Sequence, residues 1–319
     1  MPEKSCCAPQ SGRAVEPTAV APITVSARTG PQPGMVTIPA GPFRMGGADP
    51  DGFHEDGEGP VRLVTLKAFQ LDATAVTNRR FGQFVKATGY MTDAEKFGWS
   101  YVFYAAVHPA ARGAVRPGSV GGAPWWLAVS GAQWRQPEGP GSTIDTRAEH
   151  PVVHVSHNDA LAYALWAGKR LPTEAEWEKA ARGGLDQARY AWGNELHPQG
   201  KHRCNIWQGE FPKINTAADG YLTTAPVKTY PPNGFGLYNM SGNCWEWCAD
   251  VWSAEHHVPE TPHTRIDPTG PAAGALRVIR GGSYLCHDSY CTRYRVAART
   301  ANSSDSSTAH MGFRCAADL

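Results

Sequence analysis

The sequence predicts a single α+β domain, rich in loops and poor in regular secondary structure. Three observations carry that expectation. Gly 34, Pro 26 and Trp 11 among 319 residues supply many turns and bulky fillers, a poor match to a repetitive helical protein. Convincing helix signals, with apolar spacing plus a start and a stop, occur at three places only. No periodic repeat or internal linker interrupts the chain over residues 34–319, so nothing divides it into two domains.

Residues 1–33 are rich in Pro, Ala, Thr and Ser with no apolar period, and are expected to be a disordered tail. Order is expected from Met35. Val36-Thr37-Ile38 and Phe43-Arg44-Met45 read as strands around the turn Pro39-Ala40-Gly41-Pro42, which predicts a hairpin. The first helix should run from a Thr77 cap through Phe81, Phe84, Val85 and Thr88 to Gly89. A second should start at Ser156, with Asp159 reaching back three residues on, and end at Gly168. The third has Thr173 as cap and Glu176 as its partner, then Ala175, Trp177, Ala180 and Ala181 before Gly183-Gly184. Residues 98–148 and 188–270 lack helical period and read as functional loops. Leu276-Arg277-Val278-Ile279-Arg280 alternates as a half-buried strand, after which Gly281-Gly282 releases the chain.

Composition excludes several classes. A formal net charge of +1, from 30 basic and 29 acidic residues, supplies no field to hold a nucleic acid or an anionic membrane. The longest apolar run, residues 160–167, is far below the roughly 20 residues of a membrane-spanning helix. Lys4 is followed by Cys6, Cys7 and Pro9 with no apolar stretch of about 7–15 residues, so no secretory signal is read and a cytoplasmic location is expected. Eight cysteines are too sparse for a disulfide scaffold, which directs attention to metal or redox chemistry.

The segment 281–295 concentrates that chemistry: Cys286 and Cys291 stand five residues apart beside Ser283 and His287. Thiolates favour Cu(I) and zinc, and a facing pair suits two-coordinate Cu(I). Arg293 and Arg295 would favour deprotonation if their charges reach the sulfurs. Spacing alone leaves three readings open: a metal pair, a regulatory disulfide, or two buried thiols acting as small hydrophobes. A second constellation, Asn205-Ile206, Asp219 with Tyr221, and the run from Asn239 to Glu246, is rich in hard oxygen donors. It suits calcium, but on the residues alone side chains that satisfy turn backbones beside glycine are the better reading. His150 and His154 flank the strand-like Pro151-Val152-Val153 and read as packed rather than ligating. Asp49, Glu55, Asp56 and Glu58 read as a solvated acidic turn.

From about Met35 to the carboxyl end the chain resembles the formylglycine-generating enzymes, or sulfatase-modifying factors. The resemblance rests on Gly168-Lys-Arg-Leu-Pro-Thr-Glu-Ala-Glu-Trp-Glu178, Asn205-Ile-Trp-Gln-Gly-Glu-Phe-Pro212, Pro232-Asn-Gly-Phe-Gly-Leu-Tyr-Asn239, Gly242-Asn-Cys-Trp-Glu-Trp247 and Gly281-Gly-Ser-Tyr-Leu-Cys286. It implies a C-type-lectin-like fold and a copper-dependent oxidase that uses O2 to convert the cysteine of a Cys-x-Pro-x-Arg motif to formylglycine. In that family's scheme the substrate cysteine becomes a thioaldehyde, which water converts to the aldehyde and hydrogen sulfide. The implied copper ligands are Cys286 and Cys291. Ser283 and Trp245 would line the pocket, His287 would support polar or proton-transfer steps, and Trp245 and His310 would meet the substrate. Calcium is carried onto Asn205, Ile206, Asp219 and Tyr221 for one ion, and onto Asn239, Gly242, Cys244 and Glu246 for another.

The implied partner is an unfolded or nascent sulfatase polypeptide, with no nucleic acid or membrane partner and a monomeric chain. His157 and His310 stand where the family often has tryptophan and asparagine. Ala181 and Val296 replace cysteines of secreted relatives and leave Cys315 without a disulfide partner, which fits a reducing cytoplasm. Cys6 and Cys7 lie outside the match, as loose copper capture or as bystander thiols. A non-catalytic ligand-binding module on the same scaffold is the competing reading, and a metal-free thiol redox protein a third.

Overall fold

A computed structural model describes residues 9–10, 32–118 and 120–319. Strands β1 (Met35–Ile38), β2 (Gly41–Met45), β3 (Arg62–Leu66) and β4 (Phe69–Asp72) precede helices α1 (Asn78–Thr88) and α2 (Asp93–Phe97). Strands β5 (Trp99–Phe103) and β6 (Trp126–Ser130) follow, then α3 (His157–Trp166) and α4 (Glu174–Arg182). The last part holds β7 (Gly209–Glu210), β8 (Ile214–Asn215), β9 (Trp245–Val251), α5 (Pro262–Arg265), β10 (Leu276–Arg280), β11 (Arg299–Ser303), β12 (Met311–Gly312) and β13 (Ala316–Asp318). The mixed, loop-rich single domain expected from the sequence is what forms.

The three capped helices are present, and their ends follow the expected chemistry. Thr77 accepts a hydrogen bond from Arg80 N, and Gly89 closes α1 in the left-handed region. The α3 helix stops at Trp166, slightly before Gly168, which takes φ 67°. In α4 the Thr173 N–H donates to Glu176 (2.8 Å) while Glu176 N–H donates back to Thr173 Oγ1 (3.2 Å). Thr173→Ala should therefore cost about 1 kcal/mol, measured as a lower denaturation midpoint at unchanged m-value. The short α2 was not anticipated, because five residues are too few for a helical period to register, although Thr92 and Glu95 form a capping box.

The amino-terminal hairpin does not form. β1 pairs with β4, and β2 pairs with β3. A tight link between β1 and β2 through Pro39-Ala40 would need positive φ at the turn, and proline is confined to about −65°. The chain instead passes from one sheet to another. The strand β10 is present, yet its alternation is not: Val278, Ile279 and Arg280 are all buried. Arg280 tolerates burial because Glu174 (3.0 Å) and Glu178 (2.6 Å) pair with it. The stretches read as loops contain β5 and β6, which pair, and β9. β9 is covered on both faces and so shows a continuous buried run without alternation.

The four-stranded sheet β11-β10-β9-β12 positions the site. Arg280, the last residue of β10, faces Glu246 of β9 and Arg299 of β11. Met311 of β12 lies beside Trp245. The starts of β9, β11 and β12 and the end of β10 are therefore at one end of the sheet, with the loop 281–298 emerging there. β5 is tied to that end because Tyr101 bridges to Thr308 and its carbonyl accepts Ala309 N–H (3.0 Å).

Candidate functional site

Gly282 opens the loop with φ 72°, and a Cβ there would stand 2.9 Å from the Tyr294 backbone, so the close return of the chain requires glycine. The turn that follows is held by its own backbone: Cys286 N–H donates to Ser283 O (3.0 Å), and Cys291 N–H to His287 O (2.6 Å). This brings Cys286 Sγ and Cys291 Sγ to 3.6 Å, both buried. The gap far exceeds a disulfide bond of about 2.05 Å and suits two soft donors converging on one cation. Ser283 N–H points at Cys286 Sγ (3.4 Å), and the Ser283 hydroxyl accepts Leu285 N–H (3.3 Å).

The thiols sit in a pocket of about 220 Å³ empty volume, shared with Ser283, Trp245 and His310. Trp245 is buried, and its indole N–H has no hydrogen-bond partner among the described residues, as is also true of Trp126. His310 is fixed by Thr308 Oγ1 against Nδ1 (2.6 Å) and meets the Trp126 ring at 4.6 Å. Leu285 and four aromatic residues complete the lining without having been anticipated: Trp125, Trp126, Phe211 and Tyr290. Phe211 stacks on Tyr290 (4.7 Å), and Trp125 stands edge-on to both (5.3 and 4.8 Å). The Pro-Trp-Trp step was the available signal, but it lay in a segment without period.

His287 does not line this pocket. Its Nδ1 lies 2.8 Å from Ser289 Oγ and 3.1 Å from Asp288, so a role for it would be exercised from the rim. His157 is also remote, packed on Trp247 (5.7 Å), and burial pushes it down to about 3. His154 bonds Ser100 and the Pro137 carbonyl, and burial lowers it to about 4, so it is a packed histidine as expected. His150 likewise meets Thr224 (3.0 Å).

Of the acidic residues Asp49, Glu55, Asp56 and Glu58, only Glu55 is exposed as a solvated turn would have it. Glu58 is buried and grips Arg295 with both oxygens (2.6 and 2.7 Å), and Asp49 adds a contact at 3.3 Å. Asp56 holds Arg293 (2.6 Å), whose Nη1 lies 3.9 Å from Cys291 Sγ. Desolvation raises the Asp56 carboxyl against the pull of Arg293. The partners are more than two hundred residues apart, beyond any local charge pattern. Of the two arginines, Arg293 reaches a sulfur while Arg295 is committed to Glu58.

The second constellation packs directly behind the thiols: Trp207 N–H donates to Cys286 O (3.0 Å), and Asn243 N–H to Asn205 O (2.8 Å). A Cβ at Gly242 would lie 2.4 Å from Asn205 O, so these segments touch backbone to backbone. Asn205 Oδ1 and Asn239 Oδ1 are buried acceptors without a donor among the described residues. An acceptor left so is costly unless a cation or water meets it, so both positions fit a hard ion. Asp219 already accepts from Ile206 N–H (3.1 Å) and Tyr221 N–H (3.2 Å), which draws those residues together. Glu246 takes Arg314 at both oxygens (2.7 Å each) and Trp177 at one (2.8 Å), leaving it little further accepting capacity. Among the described residues no group of three or more His, Cys, Asp or Glu side chains converges, so an ion here would be held by the two thiols or by amide and backbone oxygens.

Residues 21–319 match the family described as the sulfatase-modifying factor enzyme 1-like domain, a span that begins inside the segment read as a tail. The chain is 68% identical to the formylglycine-generating enzyme of Thermomonospora curvata, over 89% of this chain and 93% of that protein. It is 60% identical to that of Streptomyces coelicolor, over 96% of each. Among solved structures it resembles PvdO from Pseudomonas aeruginosa, with TM-score 0.64 and 27% identity over 94% of this chain and all of that one.

Proposed function

The chain belongs to the sulfatase-modifying factor family and is an oxidoreductase with formylglycine-generating activity on sulfatase-type substrates, and from that premise we propose that Cys286 and Cys291 form its copper centre. The observation that carries this reading is the pair of buried sulfurs 3.6 Å apart in an aromatic pocket. When bound, Cu(I) would supply a third site for the substrate thiolate and the means of using O2. The chain's own residues do the rest. Arg293 places positive charge beside Cys291, favouring the thiolate that a soft cation needs. Trp245 and Trp126 wall the pocket against water, and their indole N–H groups have no hydrogen-bond partner among the described residues. Ser283 and His310 supply the polar edge for the incoming cysteine, and the Phe211, Tyr290 and Trp125 rings suit the apolar proline of a Cys-x-Pro-x-Arg segment.

Calcium is the second part of the proposal, with Asn205, Ile206, Asp219 and Tyr221 about one ion and Asn239, Gly242 and Cys244 about the other, where Glu246 would lend only the accepting capacity that Arg314 and Trp177 leave it. The orphaned Asn205 and Asn239 oxygens support it. At free calcium a hundredfold above Kd, binding would add roughly 2.7 kcal/mol, so chelation should lower Tm and Asn205→Ala should abolish part of that response. An unchanged Tm on chelation would count against both sites. The cytoplasm is the proposed compartment, on the missing cysteine partners at Ala181 and Val296.

The direct test is incubation of the protein with a Cys-x-Pro-x-Arg peptide, with and without added copper, read by mass. Copper-dependent appearance of the aldehyde is expected. Equal conversion under strict copper chelation would overturn the assignment.

A further inference from the structure

Pro9 is buried although it belongs to a stretch with no apolar pattern of its own. Its carbonyl accepts a hydrogen bond from Asn302 Nδ2 (3.2 Å), a fully buried side chain, and the next carbonyl, of Gln10, accepts from the Tyr101 hydroxyl (3.2 Å). Two successive carbonyls held by side chains of β5 and β11 are how a groove takes an extended peptide. Both contacts adjoin the pocket. Asn302 also reaches Met311 Sδ (3.5 Å), and Tyr101 O accepts Ala309 N–H, so the docking residues flank His310, which lines the thiol pocket. Tyr101 packs with Phe103, Trp126 and Leu285 in one apolar cluster.

The sequence leading to Pro9 reads Cys7-Ala8-Pro9. A cysteine two residues before a proline is the spacing of the substrate motif. At the motif's arginine position this chain has Ser11. We propose that the amino-terminal segment anchored through Pro9 and Gln10 competes with the substrate's Cys-x-Pro for the groove beside the thiol pocket, as an internal competitor that lacks the basic anchor. The inference rests on the substrate reading above. Cys6 and Cys7 lie outside the described residues. A tethered ligand acts at an effective concentration near millimolar, which lets even a weak mimic occupy the groove until a substrate with the full motif displaces it.

The test compares the full chain with a form lacking residues 2–10 and with the Pro9→Ala variant. Turnover of a Cys-x-Pro-x-Arg peptide is measured, together with anaerobic binding of the same peptide carrying a fluorophore. Removal should lower KM and the peptide Kd by about threefold or more, as loss of a tethered competitor does, at unchanged kcat; Pro9→Ala should follow in the same direction. A synthetic peptide of residues 1–13, added to the truncated form, should compete with substrate. Unchanged or weakened peptide binding on truncation would overturn the proposal. Failure of every form to turn the peptide over would instead defeat the oxidase reading, and the binding comparison would still decide this one.

Discussion

Cys286→Ala and Cys291→Ala should each reduce formation of the aldehyde by well over about 10²-fold, since a loss of that size already follows from removing a mere partner of a metal ligand. Both sulfurs are buried and 3.6 Å apart, so one cannot substitute for two in holding a soft ion. Copper bound per chain should fall with activity. The fold should survive, because each change removes one small buried atom from a turn whose closing bonds, Cys286 N–H to Ser283 O and Cys291 N–H to His287 O, are made by backbone, a loss of about 1 kcal/mol. Retained full activity in either variant, with the aldehyde detected by mass, would remove the centre from this loop. Copper chelation separates the enzyme from a metal-free redox protein, whose activity would ignore it.

Glu58→Ala should be the most damaging single charge change near the site. Arg295 is fully buried and held by both Glu58 oxygens; without them a guanidinium remains in the interior with Asp49 at 3.3 Å as its remaining carboxylate. Breaking such a pair costs about 3–5 kcal/mol, and the nearby Asp49 places the expectation at the lower end. The measurement is denaturant unfolding of the variant beside Glu58→Leu combined with Arg295→Met. The double replacement should recover much of the loss, because two apolar groups leave no charge unpaired. A loss below about 1 kcal/mol for Glu58→Ala would mean that the pair behaves as a solvated surface bridge. Because Arg293 and Arg295 follow Cys291 in the same loop, the single variant should also lower turnover more than its folded fraction explains.

The limits of reading this chain locally show at particular residues. Thr77, Ser156 and Thr173 announced their helices because a cap and its partner lie within four residues. Gly281-Gly282 announced the turn for the same reason. Glu58 looked like a surface residue because its partner is 237 positions away, and Arg280 looked half-exposed because Glu174 and Glu178 come from a helix a hundred residues earlier. Trp125, Trp126 and Phe211 carry no local mark of the pocket, because aromatics brought together from separate loops have no period.

The amino-acid sequence by itself determined the helices with their caps, the family through its long motifs, and the two thiols of one loop, since each is written in neighbouring residues whose chemistry acts over a few ångströms of chain. The tertiary structure alone decided that those thiols converge in an aromatic pocket, that buried carboxylates from the chain's beginning restrain the arginines beside them, and that Pro9 lies against Asn302. Those facts depend on which distant segments share the end of one sheet, and sheet pairing places residues by register in space rather than by separation along the chain.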